Sequence, residues 1–66
     1  LRDDRQLRTW IAELEHEHQA LESAIQALQE AMAPDRVALR RLKKRKLQLK
    51  DTIARLRSQL IPDLNA

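Results

Sequence analysis

Sixty-six residues carrying 35% charged side chains, a net charge of +3 and a single aromatic, Trp10, make one small domain at most. Glycine and cysteine are both absent, which excludes phosphate-cradling glycine loops, disulfide scaffolds and thiolate chemistry. Strand-forming residues are scarce and no apolar run exceeds three residues, so a sheet, a membrane span and a signal-peptide core are all unexpected.

The first predicted element is a helix over about residues 4–32. Asp3 or Asp4 can cap it, and a carboxylate there favours the positive end of the helix dipole. Leu7, Leu14, Leu21 and Leu28 recur every seven residues, and Ile11, His18, Ile25 and Met32 follow each by four. This alternating spacing is a complete heptad seam, with leucine at d and the second set at a. Pro34 then pushes Ala33 out of helical geometry, predicting a turn over about 33–35 with Asp35 as cap of the next helix.

The second helix is predicted over about 36–61. Leu42, Leu49 and Leu56 occupy d, while Leu39, Lys46, Ile53 and Leu60 occupy a. Pro62 stops it and leaves a short tail over 62–66. Each helix would be about 40–45 Å long at 1.5 Å per residue. Leu at position 1 fits a chain trimmed from something longer, and the lack of cysteine is compatible with a cytoplasmic location.

A heptad of leucines also suits a parallel zipper, so the flanking charges must decide. A parallel homodimer would set Glu17 against Glu22 in the first helix and Arg45 against Lys50 in the second, and both contacts repel. Folding back at Pro34 instead pairs positions whose numbers sum to about 67. Leu28 then meets Leu39, Ile25 meets Leu42, Leu14 meets Ile53, Ile11 meets Leu56 and Leu7 meets Leu60, every layer matching an a with a d. Glu15 falls near Lys50 and Glu22 near Lys43, whereas Arg8 opposite Arg57 is a mismatch. Thr9 to Ala33 holds five acids and no Lys or Arg, and Pro34 to Ile61 holds ten bases and two acids. Opposite charge on consecutive helices favours pairing within one chain. The expectation is an all-α, two-helix antiparallel coiled-coil hairpin spanning residues 1–66, with dimerisation into a four-helix bundle as an extension of it.

The run from Leu42 through Lys43, Lys44, Arg45, Lys46, Leu47, Gln48, Leu49, Lys50, Asp51 and Thr52 to Ile53 resembles the hallmark of the YdcH-like family, small bacterial proteins built around a domain of unknown function. Glu17-His18, Leu21, Ile25 and Leu28 look like that family's first helix, so the resemblance spans roughly residues 14–60. It implies a helical hairpin in a bacterial cytoplasm without an assigned activity, and it brings no catalytic residues.

Candidate functional features lie outside the seam, apart from Lys46 at its a position. Arg40, Arg41, Lys43, Lys44, Arg45 and Lys46 form a basic run that only Leu42 interrupts, suited to nucleic acid, anionic lipid or an acidic protein. The plainer reading is a solvated face that repels unwanted self-association. Specific DNA reading is not expected, because no Asn lies in the run and no zipper of useful length follows it. Trp10, Ala20, Ala24, Ala27 and Ala31 make an apolar stripe beside the first seam, and Leu47, Ala54 and Ile61 make another on the second helix. Two helices cannot bury both stripes, so a homodimer or another protein partner is expected to cover them. Alternatively these are scattered surface apolars chosen for helix propensity.

Glu15-His16-Glu17-His18 has the residue types of a metal site, but His16 and His18 diverge by about 200° on a helix, so no metal is expected. His18 is read instead as a polar register device near Lys46, which would reach toward Glu17 or Glu22. The hydroxyls, Thr9, Ser23, Thr52 and Ser58, lack a base and an orienting group, so no enzyme, cofactor or small-molecule substrate is expected. What the sequence supports best is a structural or protein-interaction module, an adaptor or accessory subunit. An electrostatic nucleic-acid binder is the alternative.

Overall fold

The computed structural model describes residues 4–60. Two helices account for nearly all of them, α1 over Asp4–Glu30 and α2 over Arg36–Leu60, packed against one another as an antiparallel hairpin. The expected end of the second helix at Ile61, its stop at Pro62, the 62–66 tail and the Asp3 cap lie outside the described residues. Asp4 occupies the first turn of α1, where its carboxylate faces the dipole's positive end.

Helix α1 stops two residues short of the expected end, and Ala31, Met32 and Ala33 bend toward Pro34. The Ala31 N–H donates to the Leu28 carbonyl at 3.3 Å, a three-residue closure that tightens the last turn. Met32, expected at a seam position, is therefore outside the helix and fully exposed. Pro34 alone would end helical geometry at Ala33. The earlier exit follows from the reversal itself, since the chain must cross an interaxial gap of about 8–10 Å before α2 can begin. Asp35 caps α2 as expected: its Oδ1 accepts the Ala38 N–H at 3.0 Å, and its carbonyl accepts the Leu39 N–H at 2.9 Å.

Burial follows the seam. Leu7, Ile11, Ile25, Leu49, Ile53 and Leu56 are the buried hydrophobics, all at predicted a or d positions. Leu7, Ile11, Ile53 and Leu56 form one cluster, with Leu14 and Leu60 packed against it. These are three of the layers of the register summing to about 67, and they place the contiguous core away from the turn. Nearer the turn Leu28, Leu39 and Leu42 are only half-buried, as are His18 and Lys46, where the apolar seam breaks.

Candidate functional site

The basic run occupies the first half of α2. Arg36, Arg40, Lys43, Lys44 and Leu47 recur at helical spacing, and with Leu39 they line a shallow groove of about 530 Å³ on the outer flank of the helix. Arg40, Arg41, Lys43 and Lys44 are exposed and make no ion pair among the described residues. Arg45 differs from the rest of the run. Its Nε and Nη2 both donate to Glu17 Oε2 across the hairpin, at 3.1 and 3.0 Å. Lys46 is half-buried in the seam.

Asp4 in the first turn of α1 and Arg57 in the last turn of α2 complement the helix dipoles at the open end, but the helical turns beside the bend carry no such charge. Helix α2 has no acid in its first turn, and α1 has no base in its last. A cation near a helix N-terminus costs roughly 0.3–1 kcal/mol where an acid would stabilise. Of the cations of α2 only Arg36 lies in that first turn, and the run from Arg40 begins beyond it.

Ion pairing across the hairpin departs from expectation. Glu15 pairs with Arg57 rather than Lys50, and Glu22 lies 3.8 Å from His18 Nε2 rather than against Lys43. Lys46 reaches neither Glu17 nor Glu22. Both bridging cations are arginines displaced along the hairpin from the acid they meet, one toward the turn and one toward the open end. The long guanidinium arm spans that offset and presents several donors, which an ammonium does not. Arg57, expected opposite Arg8 as a mismatch, is the cation that Glu15 takes.

A second groove of about 480 Å³ crosses the seam on this flank. Glu15, Glu22, Lys46, Lys50 and Arg57 surround it, with His18 and Ile53 among its lining. His18 Nε2 is buried there without a hydrogen-bond partner. His16 is exposed, as its spacing requires, and no three His, Asp or Glu side chains among the described residues converge as metal ligands. The hydroxyls of Thr9, Thr52 and Ser58 donate to carbonyls of their own helix, those of Arg5, Gln48 and Arg55 respectively.

The apolar stripes are left uncovered. Trp10 is 50% exposed and Leu47 62%, and Ala20, Ala24, Ala27, Ala31 and Ala54 are exposed as well. Ala31 sits in the bend beyond α1, and Ile61 lies outside the described residues. Val37, a large exposed hydrophobic on α2, was not singled out from the sequence. Its signal was available, because it falls at f, the position opposite the seam. No helix among the described residues is long and apolar enough to cross a membrane.

Residues 11–57 match the family described as "Protein of unknown function (DUF465)". The YdcH-like proteins that the sequence resembles fall within that family. No curated protein and no solved structure matches the chain.

Proposed function

We propose, for a chain that belongs to the DUF465 family of proteins of unknown function, a non-enzymatic role as a helical protein-interaction module, an adaptor or accessory subunit of the bacterial cytoplasm. The observation that carries this reading is the exposure of Trp10, Val37 and Leu47 on a hairpin with only six buried hydrophobics among its described residues. Large apolar side chains standing in water favour association, because covering them recovers about 25 cal/mol for each Å² of apolar surface removed from solvent. The stripes lie beside the seam on different helices, so a partner can engage them without opening the hairpin.

Sedimentation of the isolated chain at tens of micromolar, together with affinity capture from its own cell, tests the reading. Self-association or a retained protein partner is expected, weakened by Trp10→Ser, which lies outside the seam. A folded monomer that retains no protein overturns it.

An electrostatic nucleic-acid binder is the second reading, supported by Arg40, Arg41, Lys43 and Lys44, cations that make no ion pair among the described residues. It requires binding to duplex or single strands that weakens steeply with salt as counterions are released. No binding at low salt removes it.

A further inference from the structure

We infer that the outer groove of α2, between Leu39 and Leu47, receives an acidic amphipathic helix of a partner protein. This rests on the interaction-module reading and names the chemistry of the partner. Arg36, Arg40, Lys43 and Lys44 frame the groove, and Leu39 and Leu47 supply its apolar strip. From Arg36 to Leu47 the groove runs about 16 Å, three helical turns, and the strip from Leu39 to Leu47 covers about 12 Å of it. An incoming helix of matching length presents apolar side chains at i, i+3 and i+7 to the leucines and carboxylates on either side to the cations.

Charge complementarity selects this occupant. The four framing cations have no carboxylate partner among the described residues, and Arg36 lies in the first turn of α2, beside the positive end of its dipole, where an anionic partner gains most. A nucleic acid would use the cations but not the strip, since the groove contains no aromatic side chain on which a base could stack. A second copy of the chain offers too few free acids. On α1, Glu15 and Glu17 are held by Arg57 and Arg45 and Glu22 lies beside His18, so that Asp4, Glu13 and Glu30 are left without a cation among the described residues, and no three of these fall within the three turns that the groove spans.

Fluorescence anisotropy of labelled probes tests the assignment. The probes are a synthetic four-turn acidic peptide with one leucine stripe, the same peptide with serine for each leucine, and a single-stranded oligonucleotide. The leucine peptide is expected to bind most tightly, and to weaken about tenfold or more with the paired changes Lys43→Glu and Lys44→Glu, and about tenfold with Leu47→Ser. Arg41→Glu, a single charge reversal on the other side of α2, should alter binding less than about threefold. All these positions are exposed, and far-UV circular dichroism checks that each variant keeps its helices. Equal binding of the serine peptide, tighter binding of the oligonucleotide, or an Arg41→Glu effect as large as the paired change overturns the inference. So does absence of peptide binding at low salt. If the chain then still self-associates or captures a protein through Trp10, the module reading stands alone; if it does neither, both fall.

Discussion

The ring of His18 enters a seam that α1 otherwise fills with leucine and isoleucine, and its Nε2 is buried without a hydrogen-bond partner, 3.8 Å from Glu22. A buried polar atom left unsatisfied costs about 1–3 kcal/mol, whereas an apolar side chain there would extend the core toward Leu21. His18→Leu is therefore expected to raise the unfolding free energy by about 1 kcal/mol in urea titrations followed by circular dichroism. Unchanged or lower stability would show that the histidine's contacts outweigh its lost hydration. That His18 occupies the seam was legible from the period alone, because helical side-chain directions repeat strictly. The ion pairs were not. Lys50 and Lys43 stand opposite acids by register, yet Glu15 takes Arg57 and Glu17 takes Arg45. Register places Cα atoms, while arm length and donor geometry decide which charged tips meet.

At the scale of the element, the start of α2 depends on one side chain. Asp35 accepts the Ala38 N–H, satisfying a donor that has no partner within the helix, and Arg36 beside it places positive charge against the dipole. Asp35→Ala is expected to destabilise the hairpin by about 1 kcal/mol, within the usual 0.5–2 for a lost cap, and Asp35→Asn by much less. Equal losses in thermal melts of the two variants would mean that the carboxylate's charge, rather than its cap bond, supplies the stability. The helices and the cap could be read from heptads and prolines. The end of α1 at Glu30 could not, because proline chemistry says only where a helix must stop, and the geometry of reversal sets how much earlier it does.

For the molecule as a whole, two helices bury so little that one side chain can decide folding. Leu49 is 2% exposed, the most buried of the six core residues, and it belongs to the layer opposite His18. Truncation of a buried leucine costs about 2–5 kcal/mol, comparable with the entire stability of a domain this small. Leu49→Ala should abolish the cooperative melt or lower its midpoint sharply. Leu47→Ala, two residues away and exposed, should stay within about 0.5 kcal/mol of the parent. Similar losses from both would place Leu47 in the hairpin core and remove it from the candidate surface.

Periodicity, prolines and the segregation of acid from base were sufficient to determine two helices, their reversal at Pro34 and the seam positions from which the core is drawn, because each depends on side-chain direction along a regular helix. Which cations remain unpaired, where α1 gives way to the bend, and how the leucines of α2 divide between core and outer groove were decided only by the tertiary structure. Those outcomes depend on distances between two packed surfaces, and arginine reach, chain reversal and burial across the seam have no period along the chain.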